Sequence, residues 1–159
     1  LREGVEDERI NFLDKLVKKI PNIKYDFYGF ANKQPIWGND FNNALINSKM
    51  GLNLSRGTPI KYYSSDRITQ IIGNGLVTLI DEKTCYNDFF DNSEMVFYKN
   101  LNDLSEKILR ISRDEKLRKK IARKGKSKYM KYFNSSLVAD FIIKKTLGIN
   151  DKKKYFWHG

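Results

Sequence analysis

Two arginines and a small set of polar neighbours are the residues of this chain best suited to chemistry. Arg56 ends the stretch MGLNLSR, and Arg67 follows in SSDRITQII. Guanidinium groups grip phosphate oxygens through paired hydrogen bonds. Lys61, Tyr62, Tyr63, Ser64 and Ser65 lie between them. Ser64, Ser65 or Asp66 caps a helix here. Its first turn offers unpaired backbone N–H groups and the positive end of the helix dipole, which suit a phosphate or diphosphate. Gln70, one turn further on, is placed to hydrogen-bond a sugar hydroxyl. Asp81 and Glu82 follow the apolar run GLVTLI and form a second polar cluster. The same residues also read as an ordinary cap, solvated arginines and turn glycines, and spacing alone leaves both readings open.

Other chemistries have less support. There is no GxGxxG and no Walker-type Gly-Lys-Ser, which argues against a dinucleotide dehydrogenase or a P-loop kinase. No Asp-x-Asp pair, His/Cys cluster or EF-hand loop occurs, so no metal site is expected. The single histidine, His158, sits in the terminal tail, and the single cysteine, Cys85, has no histidine beside it in sequence. One cysteine also rules out an internal disulfide and fits a reducing compartment. Tyr25, Phe27, Tyr28 and Phe30 read as core rather than as an RNA-stacking surface.

Ligands of an open α/β sheet sit beyond the carboxyl ends of its strands, and the sequence predicts such a sheet. Apolar residues at helical spacing place a helix over 6–20, ended by Pro21-Asn22. IKYDFYGF, residues 23–30, reads as a strand closed by Gly29. A short helix, DFNNALINSK, starts at a cap on Asn39 or Asp40, and residues 50–56 form a strand. The helix containing RITQII stops at Gly73-Asn74-Gly75, which tolerate left-handed backbone. GLVTLIDE has the near-continuous apolar character of a strand buried on both faces. Residues 84–93 turn, and EMVFYK is a short strand. Three helices follow, the first capped by Asn102 or Asp103 with Glu106 completing a capping box. The second runs from Asp114 to Phe133 with Leu117, Ile121 and Tyr132 inward. The third is SSLVADFIIKKTLG.

The formal charge of +11 is unevenly spread over the 159 residues. Residues 1–100 hold 13 Lys/Arg against 13 Asp/Glu, and residues 101–159 hold 17 against 6. The excess concentrates on Lys116, Lys119, Lys120, Arg123, Lys124, Lys126 and Lys131. This is either a solvated face or, over residues 116–131, an attraction to an anionic membrane. No apolar run approaches the ~20 residues of a membrane-spanning helix, and the charged N-terminus lacks a signal-peptide core. A soluble, cytoplasmic chain is expected, with possible peripheral contact at the inner membrane face.

The ordered segments resemble GT-B type glycosyltransferases, most closely the group-1 family that includes CgeB-type spore-maturation proteins. The resemblance rests on SSDRITQIIGNGLVTLIDEKTCYNDFF, on MVFYKN, on NLNDLSEKILRISRDEKLRKKIARKGKSKYMKYFNSS and on INSKMGLNLSR upstream. It covers about residues 6–147. It implies the C-terminal, nucleotide-sugar-binding half of a two-domain enzyme, a Rossmann-like parallel sheet with a helical C-terminal third, working without metal or other cofactor. It carries substrate contacts to Arg67, Gln70, Asn74 and Gly75, with the helix start at Ser65 and Asp66. Arg56 and Asp81 rest on the loop argument alone. Where the family commonly has Glu, this chain has Gln70, which keeps hydrogen bonds but no charge.

The resulting expectation is one donor-binding domain over 1–150 and a frayed tail over 151–159. Helix 6–20 lacks the strand that would normally precede it, so an N-terminal acceptor domain is expected outside this chain. The partners are a nucleotide diphosphate sugar and a glycan, lipid or protein acceptor, with no catalytic residue assigned and no specific nucleic acid. The alternative is a non-catalytic Rossmann-like module whose basic tail contacts nucleic acid or an anionic membrane.

Overall fold

The computed structural model describes residues 8–29, 33–63, 65–150 and 154–157. In chain order the elements are α1 (Glu8–Lys19), α2 (Gly38–Asn47), β1 (Met50–Asn53), α3 (Asp66–Gly73), β2 (Val77–Asp81), β3 (Val96–Tyr98), α4 (Leu101–Arg113), α5 (Glu115–Tyr132) and α6 (Ser135–Thr146). Two single 3-10 turns, Glu82–Thr84 and Tyr86–Asp88, connect β2 to β3. The three strands form one parallel sheet in the order β1-β2-β3. This is a Rossmann-like α/β fold with a helical C-terminal region.

β2 is central because its side chains suit burial on both faces. Val77 and Leu79 join Val96 and Tyr98 of β3 under α1 and α4, with Leu16, Leu104, Ile108 and Ile121. Ile80 and Phe97 face the other way, against Ile68 and Ile72 of α3 and Tyr86 and Phe90 of the connecting turns. Such alternation follows from the two-residue period of a strand. Thr78, also buried, has a hydroxyl without a hydrogen-bond partner among the described residues.

Two glycines set the closest approaches. A Cβ on Gly51 of β1 would lie 2.5 Å from Cγ1 of Ile71, so α3 can press on β1 only because no side chain intervenes. A Cβ on Gly125 of α5 would strike the carbonyl oxygen of Glu94, just before β3.

Several expectations need correction. Residues 23–29 of the expected strand are not in a strand, and Phe30 lies outside the described residues. The N–H of Ile23 donates to the Ile20 carbonyl, and the Tyr25 hydroxyl donates to the same carbonyl at 3.3 Å. The segment therefore stays folded against the end of α1, where Tyr25 stacks on Phe27. β1 ends at Asn53, which leaves Arg56 in a loop. α2 starts beyond Trp37 without a side-chain cap. α4 is capped by Asn100, whose Oδ1 accepts from the N–H groups of Asn102 and Asp103. The Asp103 carboxylate accepts from the N–H of Lys99, so the cap lies upstream of Asn102 and Asp103, the residues expected to supply it.

In α5 the buried residues are Arg118, Ile121, Ala122 and Gly125, while Leu117 and Tyr132 are half-buried. Within the segment expected to fray, the described residues 154–157 pack their rings onto the end of the molecule. The Tyr155 hydroxyl bonds Asp140 at 2.8 Å, Phe156 stacks on Tyr132 and Trp157 lies against Phe133 and Phe141. No helix among the described residues is long and apolar enough to cross a membrane.

Candidate functional site

Because the strands are parallel, their carboxyl ends share one edge of the sheet. A cleft of about 150 Å³ opens there. Asp81 at the end of β2 and Tyr98 at the end of β3 form one side, and Leu54, Ser55, Gly57 and Pro59 of the loop after β1 form another. Glu8, Arg9 and Phe12 of α1 complete it. A larger, open depression of about 840 Å³ lies on α5 among Asp114, Leu117 and four basic side chains. It is remote from the strand ends, where this type of sheet places its ligands, so the smaller cleft is the stronger candidate.

Arg67 sits in the first turn of α3 and donates from Nη1 to the carbonyl of Leu54 at 2.8 Å. That bond draws its guanidinium to the loop that walls the cleft, close to Arg9. Desolvation by its neighbours, and then the like charge of Arg9, lower the Arg67 pKa. Its side chain still keeps solvent contact, and a guanidinium remains charged through any physiological pH. Two cations thus stand near each other here, Arg9 in the cleft wall and Arg67 on the loop beside it.

Ser65 is the N-cap residue of α3, but its hydroxyl does not cap. It bonds the side chain of Asn53 at 3.1 Å instead. Asn53 is buried at the carboxyl end of β1. The start of α3 is therefore fastened to the strand end, and the Ser65 side chain leaves the first-turn N–H groups uncapped. Asp66, exposed at the first helical position, puts a carboxylate near the same terminus. That offsets the attraction of the helix dipole for an anion.

On the opposite wall the Asp81 carboxylate accepts from the N–H of Lys83 at 2.9 Å, and its carbonyl accepts from Thr84 at 2.6 Å. Burial, then the negative charge of Asp81, push the Tyr98 hydroxyl pKa well above the usual phenol value. Tyr98 therefore stays neutral beside the carboxylate.

Two loops meet over this edge. Tyr62 holds left-handed backbone at φ 59°, and Cys85 does so at φ 56°. The N–H of Tyr62 donates to the Thr84 carbonyl, its hydroxyl donates to Asp88 and its ring packs on Phe89 at 4.9 Å. Lys61 lies over the same ring. Non-glycine residues in left-handed backbone are uncommon, and here both occur where the β1 and β2 loops lock together.

Comparison with known proteins gives this geometry a family. Residues 6–144 match the family described as glycosyl transferase-like. The chain belongs to that family. No curated protein and no solved structure matches it. A glycosyl transferase-like chain acts with a sugar donor and an acceptor in general terms.

Within this glycosyl transferase-like domain the sequence-derived residues divide into two groups. Ser65, Asp66, Arg67 and Asp81 lie at the carboxyl edge. Arg56 is exposed in the cleft loop, between the wall residues Ser55 and Gly57. Gln70 is exposed midway along α3. Asn74 and Gly75 are not brought to the cleft. They follow α3 and precede β2, at the amino edge of the sheet. Asn74 there bonds the Gln70 carbonyl at 2.8 Å, and Gly75 supplies φ 79° for the turn. Ser64 and His158 lie outside the described residues.

The sequence reading missed Arg9, Asn53 and Tyr98. Asn53 had a local signal, a lone amide at the carboxyl end of the apolar run MGLN. Arg9 and Tyr98 had none, because only the packing of α1 over β3 brings them to the cleft. Among the described residues no group of His, Cys, Asp or Glu is arranged to hold a metal.

Proposed function

We propose that the carboxyl-edge cleft binds the diphosphate of a nucleotide sugar, and that the domain is the donor-binding half of a GT-B type glycosyltransferase. One observation supports this reading: Arg67 is bonded to Leu54 of the cleft wall, and Arg9 lines the same cleft at the carboxyl ends of the strands. When the sugar leaves, its anomeric carbon–oxygen bond breaks and negative charge grows on the departing diphosphate. The guanidinium groups of Arg67, held on Leu54, and of Arg9 beside it stabilise that charge, and such electrostatic stabilisation is usually the largest catalytic effect. Asp81 faces the same space as an acceptor for ribose hydroxyls. Ligand pockets usually span roughly 300–1,000 Å³, and this cleft is about 150 Å³. It accommodates the diphosphate end, with the sugar reaching toward a separate acceptor domain that supplies the base.

Calorimetric titration with UDP, GDP and their sugar conjugates tests the reading. Binding of at least one nucleotide, weakened in Arg67→Ala and in Arg9→Ala, is the expected result. No binding of any nucleotide at millimolar concentration contradicts it.

A further inference from the structure

A second charged surface lies opposite the cleft and has no part in the function proposed above. α5 lies along the amino edge of the sheet. Lys49, before β1, acts electrostatically on Glu115. Gly75, before β2, has the Lys126 side chain 3.4 Å from its Cβ position. Ser93 and Glu94, before β3, bond Lys124 at 3.2 Å and Lys128 at 2.7 Å. With Ile121, Ala122 and Gly125 turned inward, the other face of α5 points away from the sheet.

At 100° per residue, Lys116, Lys119, Lys120, Arg123, Lys126 and Lys131 fall within a band of about 140° on that outward face. All six are exposed. Among the described residues of the band, only Lys119 pairs with a carboxylate, that of Glu115. Met130 is 48% exposed in the same band. We propose that this face docks the domain on a bilayer rich in anionic lipid, with the cleft held on the solution side.

Two features favour a bilayer over nucleic acid. The band is five lysines to one arginine, and lysine is a hydrated point charge without the planar fork that reads bases and grips phosphates bidentately. Its uncharged exposed member of any size is an apolar methionine, with no aromatic ring for base stacking. A basic amphipathic helix with an apolar contact suits a headgroup layer. The proposal is independent of nucleotide binding, so the two fail separately.

The test is co-sedimentation of the full chain with phosphatidylcholine vesicles, with and without phosphatidylglycerol. The expected result is binding only with the anionic lipid, falling as salt rises. Lys116→Glu/Lys120→Glu/Arg123→Glu should weaken it by roughly 100-fold or more. Lys24→Glu/Lys33→Glu/Lys83→Glu has the same net charge, reversed elsewhere, and should change binding by less than about threefold on the same footing. If the first triple fails to fold, the Lys→Gln/Arg→Gln version of it replaces it, with a smaller loss in the same direction. A fluorophore on Met130→Cys in a Cys85→Ser background should be quenched by lipid-borne quencher, and one on the native Cys85 should not. Equal losses in both triple variants, quenching at Cys85, or tighter binding to duplex DNA than to anionic vesicles at equal salt would overturn the proposal.

Discussion

At the carboxyl edge of the sheet, loops lean on one another through a few polar bonds and two left-handed residues, Tyr62 and Cys85, and leave a cleft between them. At the amino edge, a single 18-residue helix presses so closely that Gly125 meets the backbone of Glu94. The edges are about 3.3 Å apart for each residue of the short strands between them, yet they divide the work. Close packing at one edge fixes the strands. That rigidity lets the other edge remain open, with polar side chains held by single hydrogen bonds that a ligand can replace. Substitutions at the amino edge should therefore act on stability, and those at the carboxyl edge on binding.

The largest expected effect is at Gly125. Helix propensity alone favours Ala there by about 1 kcal/mol. Contact with the Glu94 carbonyl should reverse the sign, so Gly125→Ala loses roughly 1–3 kcal/mol in urea unfolding. A stabilised variant would break the account of the amino edge. Arg67→Ala should show the opposite pattern. Nucleotide affinity falls at least tenfold, about 1.4 kcal/mol, while the exposed bond to Leu54 costs less than about 1 kcal/mol of stability. Equal losses in both measurements would erase the distinction between the edges.

Thr78, inside the central strand, sharpens the same comparison. Replacing its unpartnered hydroxyl by a methyl group in Thr78→Val should raise stability by about 1 kcal/mol, with nucleotide affinity unchanged. A smaller effect comes from Tyr25, whose pKa burial raises to about 12. Below pH ~10, the unfolded value, the phenol is neutral in both states. As pH rises from there toward 12, the unfolded chain ionises first and stability declines. Tyr25→Phe should lose stability less steeply between pH 9 and pH 11.5 in urea unfolding than the parent does. Identical slopes would contradict the assignment.

Much of this architecture was legible in the sequence. The apolar run GLVTLI announced the central strand, and Gly73-Asn74-Gly75 announced the end of α3. Those signals are local, carried by period and by glycine. Residues 23–30 misled for a related reason. β-branched and aromatic side chains suit a strand, but a strand also needs a partner ladder, and here Tyr25 and Phe27 pack by the end of α1 instead. The candidate site was half legible. Arg67 and Asp81 stand next to their elements' ends, where order along the chain predicts position. Arg9 and Tyr98 come from α1 and β3, and only tertiary packing unites them. Asn74 and Gly75 follow Arg67 closely in sequence but lie at the other end of an eight-residue helix in space. The basic residues of α5 were visible as composition; which of them face outward depended on Gly125 and Ile121 facing in.

The most direct test of the central claim is an amide chemical-shift titration of the chain with nucleoside diphosphates. The account predicts shifts at Arg9, Leu54, Ser55, Arg67, Asp81 and Tyr98, with Gly75, Gly125 and Lys126 unmoved. Shifts gathered along α5, or none at the strand ends at saturating nucleotide, would contradict it.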